Sequence, residues 1–236
     1  MSYFGWGEYI PVSKKRENAQ KLIAKLKKKT PNLSPVVIDG KKITTTWWGK
    51  AWCDNLVSYR DYENRLSRGS AYVKNGFVVD LQIENGLITA QVSGSELYEI
   101  KIKISPLDER KWTNIVQKVS NSISSIAELA DGKFPQELAE VFMKKGDGLF
   151  PSPQEIHMDC DCPDWAGMCK HIAAVMYGVG NRLDSDPLLF FKIRNIDPTS
   201  LIKKSVDEKM ANLLKNSSKK SKRIIDDANI KKLFGV

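Results

Sequence analysis

The sequence predicts an α+β fold: an antiparallel β-meander with packed helices, followed by a small ββα-like finger and a basic C-terminal tail. Three observations carry this. Between residues 71 and 104, short runs alternate apolar and polar residues and are joined by glycine turns. On either side, apolar residues recur at helical spacing. Three of the four cysteines and one of the two histidines then fall within twelve positions, from Cys160 to His171.

Taken in order, Ala19, Leu22, Ile23 and Leu26 lie at helical spacing among lysines, which predicts a basic amphipathic helix over Lys14–Lys29. Pro31 and Pro35 end it. Val36-Val37-Ile38, Asp39-Gly40 and Ile43 predict a small hairpin. Thr46 is placed to cap a helix over Trp47–Tyr59 whose Trp47, Trp48, Trp52 and Leu56 face a core. Those tryptophans could stack on bases, but a helical aromatic stripe more often packs.

The meander is expected to use Ala71–Val73, Phe77–Ile83, Leu87–Ser93 and Leu97–Ile104, with Asn75-Gly76 and Asn85-Gly86 as hairpin turns. Helices over 108–124 and 135–144 follow, the second opened by proline. Gln154–Asp159 reads as an extended segment, and a helix is expected from Cys169 to about Gly178-Val179-Gly180. A short apolar helix over Pro187–Arg194 comes next, and Pro198 begins another. Past Leu214 a lysine-rich run reads as a flexible basic linker. Ile230, Leu233 and Phe234 form a terminal apolar triad suited to docking on a partner or on this chain.

The Cys/His cluster has the spacing C-x-C-x6-C-x-H. A strand would put Cys160 and Cys162 on one side, because side chains two apart face one way. Pro163 stops the strand, Ala166-Gly167 turns the chain, and Cys169 and His171 open the helix. Three thiolates and an imidazole make a complete tetrahedral set for one structural zinc, with no position left for water. A redox pair is disfavoured because the C-x-x-C spacing is absent. His157 reads as a strand bystander and Cys53 as a small hydrophobe. Asp159, Asp161 and Asp164 read as surface acids. Lys170 can offset the net negative charge of a three-thiolate site.

This pattern, with a strand before it and an apolar helix after it, resembles the SWIM zinc finger at all four ligand positions: Cys160, Cys162, Cys169 and His171. Thr46–Trp52, Arg68–Val73 and Leu188–Phe190 are also similar to bacterial SWIM proteins, so the resemblance spans residues 44–195. It implies a finger that binds DNA or proteins and, in the bacterial proteins, an association with Swi/Snf-type ATPases.

Charge is distributed unevenly. The net +9 combines about +8 over residues 1–50, −5 over 51–202 and +6 over 203–236. Basic ends on an acidic body suggest arms that neutralise phosphates, although lysine-rich ends also serve simply as solvated surface. Candidate nucleic-acid contacts are Lys14, Lys15, Arg16, Arg65, Arg68, Lys219, Lys220, Lys222 and Arg223. No apolar run approaches a membrane span and no signal-peptide core is present, so a soluble cytoplasmic protein is expected.

No phosphate loop, nucleophile elbow or dinucleotide fingerprint occurs, which argues against an enzyme. The expected organisation is a basic N-terminal segment (1–45), an α+β domain (46–150), the finger with its following helix (151–195) and a basic tail (196–236). The function that fits is a zinc-binding, non-catalytic adaptor associated with nucleic acid, in a DNA-dependent ATPase, chromatin-remodelling-like or repair context. The alternative is a protein-interaction module that docks on a Swi/Snf-type ATPase without touching DNA.

Overall fold

The structure is a computed structural model. It describes residues 10–59, 63–119, 136–144 and 146–201, with positions 203, 206, 207, 210, 211 and 214. Lys219, Lys220, Lys222, Arg223 and the Ile230/Leu233/Phe234 triad lie outside these residues, as do the expected helix end over 120–124 and Pro135.

The chain is α+β. Helix α1 (Val12–Lys27) buries Ala19 and leaves its lysines outward. Helix α2 (Trp47–Asn55) starts at Thr46, whose hydroxyl accepts from the Gly49 amide at 3.1 Å, and a 3-10 turn continues it over Leu56–Tyr59. Helix α3 (Glu63–Lys74) leads into strands β1 (Val78–Glu84), β2 (Leu87–Ser93) and β3 (Leu97–Ile104). After α4 (Glu109–Val119) and α5 (Gln136–Phe142) come β4 (Ile156–Cys160), α6 (Lys170–Ser185) and α7 (Leu189–Ile193). The four strands form one antiparallel sheet in the order β1-β2-β3-β4.

Three expectations need correction. Ala71–Val73 is the last turn of α3, and the fourth strand is β4. Asn75-Gly76 acts as a helix stop: Gly76, at φ +71°, donates to Val73 O, and Phe77 donates to Tyr72 O. These two bonds are the Schellman pattern, completed by the Tyr72–Phe77 ring contact at 5.1 Å. The same dipeptide serves a hairpin or a helix end, and three residues of alternation are too few to decide between them.

The expected 36–43 hairpin is also absent. The Val36 amide donates to Val78 O and the Leu81 amide to Ser34 O, so this segment lies along the edge of β1 instead of folding on itself. Finally, α6 runs straight through Gly178 and Gly180 to Ser185. A Cβ at Gly180 would sit 2.8 Å from Cys53 Sγ, and one at Gly178 would sit 3.1 Å from Val36. Both glycines admit neighbours at close range and do not stop the helix.

One face of the sheet is covered. Ile88, Ala90 and Val92 of β2 pair with Ile102, Ile100 and Tyr98 of β3, and Ile104, Ile102 and Ile100 pair in turn with Ile156, Met158 and Cys160 of β4. Against this face lies α6, buried from Ile172 to Met176 and at Val179 and Leu183. Helices α2 and α3 pack on α6. Trp52 is 1% exposed, and its indole donates to Met176 O at 2.8 Å; Trp48 donates to Leu183 O at 2.9 Å. Burying about 200 Å² of Trp52 is worth roughly 5 kcal/mol at ~25 cal/mol/Å². Stacking on a base returns only about 1–3 kcal/mol. Packing wins for these tryptophans.

Candidate metal centre

Strand and helix converge at one end of the covered sheet face. Cys160 ends β4 opposite Ile100, and Asp161 extends the ladder by one step: its amide donates to Glu99 O, and its carboxylate accepts from the Glu99 amide at 3.0 Å. This tether fixes the chain direction between Cys160 and Cys162. The loop then crosses to α6, where Cys169 is the N-cap, its sulfur accepting from the Ile172 amide at 3.5 Å. His171 follows in the first turn and is 1% exposed.

The ligand atoms of Cys160, Cys162, Cys169 and His171 all lie within 4.8 Å of one another. Cys160 Sγ is 3.9 Å from His171 Nδ1. With metal–sulfur and metal–nitrogen bonds of about 2.3 and 2.0 Å, the edge of a tetrahedral site spans roughly 3.5–3.8 Å. The donor set and spacing therefore fit one tetrahedral metal ion.

Electrostatics point the same way. The Cys160 thiol, donating to Cys169, pulls the Cys169 pKa down to about 4, helped by His171 and the Ile172 amide against the opposing effect of burial. Cys160 is driven far up by its bond to the Cys169 sulfur and then by burial, and Cys162 is raised chiefly by burial. One thiolate forms readily and the next does not. A cation among the sulfurs removes that conflict, because a coordinated thiol is deprotonated outright.

His171 is held by rings. Tyr98 stacks on it with centroids 4.3 Å apart, and Tyr72 meets it edge-on at 5.4 Å. Its Nε2 is buried and has no hydrogen-bond partner among the described residues. Behind it lies Gly94, where a Cβ would sit 2.7 Å from the Tyr98 ring and 3.2 Å from Nε2. On the outer side of the loop, Asp164 pairs with Arg65 of α3 at 3.0 Å. Lys170 sits over the Tyr72 ring at 5.6 Å, and its pKa is lowered by burial and then by the charge of Arg68.

The remaining expected contacts are scattered. Lys14 pairs with Glu17 at 3.0 Å, and Arg16 donates to Asn75 Oδ1 at 2.6 Å. Lys15 and Arg68 are exposed and meet at one cavity, described below. His157 is exposed on the open sheet face opposite Lys103 and is not one of the clustered ligands. Burial pushes the Cys53 thiol up to about 12, which makes it inert.

Two features escaped the sequence reading. Tyr98 looked like one more strand residue, since its partner is 73 positions away. Trp165 is 80% exposed between the ligand pairs, and an aromatic with no periodic apolar partner inside a turn was the available signal.

Fold and site together define an α+β protein with a Cys3His metal-type centre built between a sheet edge and the central helix. The chain is 34% identical over 163 residues to an uncharacterized protein, Rv2102, of Mycobacterium tuberculosis. The matched stretch covers 68% of this chain and 58% of that relative, so the chain spans less than two thirds of its length. No family model matches the chain, and no solved structure matches it. Among the described residues, no helix is long and apolar enough to cross a membrane.

Proposed function

We propose that the protein holds one structural zinc ion in a SWIM-type finger and acts as a non-catalytic adaptor associated with nucleic acid. The observation that carries the zinc assignment is the Cys3His cluster with its donors within 4.8 Å. Three sulfurs and an imidazole nitrogen suit zinc over calcium or magnesium, which take oxygen ligands. Four protein donors fill a tetrahedral ion, and the role assigned to the metal is to hold β4, the loop and α6 together.

Association with nucleic acid is supported by the excess of basic residues at both ends of the chain and by the lysine-covered outer face of α1. Binding of this kind is phosphate-directed and sequence-indifferent. A Swi/Snf-type ATPase is the protein partner that the finger resemblance implies. The exposed Trp165 favours a second reading, in which the finger docks on that ATPase without DNA; a large aromatic offered on a turn is the type of anchor that protein interfaces bury.

Two measurements test the proposal. Elemental analysis of the purified protein should find one zinc per chain, lost in Cys162→Ser. Fluorescence anisotropy with a labelled duplex should show weak binding that falls steeply with added salt. One zinc with no DNA binding, but stable capture of the ATPase, selects the second reading. Absence of zinc rejects the finger.

A further inference from the structure

Beside the metal centre, α1, α3, the β2–β3 turn and the start of α6 enclose a cavity of about 470 Å³. Lys15, Arg68 and Lys170 stand in its wall, together with Tyr72 and the hydroxyl residues Ser93 and Ser95. Among the described residues, none that lines it is acidic. Among the described residues, none of the three cations forms an ion pair with a carboxylate. Asp164, which acts on Lys170 through space, is itself held by Arg65.

Three cations drawn from three separate helices around one concavity repel each other unless an anion enters. A zinc bound by three thiolates and a neutral imidazole carries one net negative charge, enough to balance one of the three. Two positive charges then remain for a ligand. The hydroxyls and the lysine and arginine groups are donors of the kind that phosphate oxygens accept, with Arg68 offering a planar fork.

We propose that this cavity binds a phosphate group carried by a single nucleotide, either free or at the end of a single nucleic-acid strand. The volume falls within the range of small-ligand sites and is far too small for a duplex. Tyr72, half-buried and flanked by Lys170, forms an apolar wall beside the charges. The phosphate site stands on the cavity's own residues; only the strand-end form of the ligand rests on the nucleic-acid reading above.

The test uses the full zinc-loaded chain. Titration calorimetry is run with a nucleoside monophosphate, and anisotropy with a short single strand carrying or lacking a 5′-phosphate. Arg68→Gln and Lys15→Gln, both at exposed positions, should each weaken mononucleotide binding about tenfold, while Lys103→Gln on the open sheet face should not. Zinc content, measured in every variant, reports that the centre is intact; Lys170→Gln, next to the ligands, counts only where zinc is retained. Preference for the 5′-phosphorylated strand, lost in the same variants, identifies the strand end as ligand. Mononucleotide binding without affinity for any oligonucleotide upholds the cavity and removes nucleic acid as the partner. Failure of both ligands to bind, or equal binding by the double variant Lys15→Gln/Arg68→Gln, overturns the site even where duplex binding persists.

Discussion

The Tyr98 ring lies on the His171 imidazole, with centroids 4.3 Å apart and planes inclined by 25°. Its hydroxyl shares a 2.6 Å hydrogen bond with Ser95 Oγ, so the turn after β2 fixes the ring that fixes the ligand. Histidine ligands are commonly oriented by a hydrogen bond to the nitrogen that does not bind the metal. Among the described residues His171 Nε2 has no such partner, and aromatic packing performs the task.

Tyr98→Ala should therefore lower zinc affinity by about tenfold, the low end of what loss of a ligand-orienting group costs. Competition with a chromophoric chelator measures this. Tyr98→Phe, which keeps the ring, should retain most of the affinity. Equal affinities for wild type and Tyr98→Ala would show that the ring does not orient the ligand.

Removal of zinc should be felt through the whole core. β4 is hydrogen-bonded into the sheet, and α6 packs against α2, α3 and β1. Chelation, or Cys162→Ser, should shift the main thermal transition by more than 10 °C, since structural zinc contributes folding energy directly. A main transition that stays put, with only a small separate step at lower temperature, would confine the effect of the metal to its own loop.

Helices α3 and α6 touch at Gly69. A Cβ there would lie 2.5 Å from Ala173 Cβ and 2.9 Å from backbone atoms of Ala173 and Ala174. Backbone cannot step aside as a flexible side chain does, so Gly69→Ala should cost about 1–3 kcal/mol as overpacking. At roughly 2–4 °C per kcal/mol, a melting temperature several degrees lower is expected.

Arg194 is 1% exposed, and its Nη2 donates to Glu155 Oε1 at 2.5 Å. Burial works to raise the Glu155 pKa, and the hydrogen bonds from Arg194 and Ser152 outweigh it, leaving the carboxyl below its ordinary value. A depressed carboxyl contributes stability that is present above its unfolded pKa of about 4.3 and is lost as pH falls through the folded value. Glu155→Gln should thus be destabilised at neutral pH by about 3 kcal/mol, because it strands a buried cation. The gap from wild type should narrow below pH 4. Chemical denaturation at pH 7 and pH 3.5 checks this; a gap independent of pH would assign the cost to packing.

The candidate ligand set was legible in the sequence because metal coordination demands particular atoms, and Cys160, Cys162, Cys169 and His171 stand in so short a stretch that almost any turn brings them together. The strand β4 and the helix α6 were legible for a similar reason: each is a local pattern. Arg65 illustrates the limit. As a residue type it suggested phosphate, but its guanidinium is taken by Asp164, 99 positions along the chain.

What the sequence by itself determined is the α+β class, the strands β1, β2 and β3 and the four candidate metal ligands, since periodicity and ligand chemistry act over a few residues. Tertiary structure alone decided that β4 becomes the fourth strand of the meander's sheet and that α6 becomes the centre of the core. It also decided that Asn75-Gly76 ends a helix, that Gly178 and Gly180 are close-packing sites, and that Lys15, Arg68 and Lys170 face one cavity. The physical reason is common to all of these: edge pairing, steric fit and summed charge depend on which distant segments meet, and no local pattern encodes that.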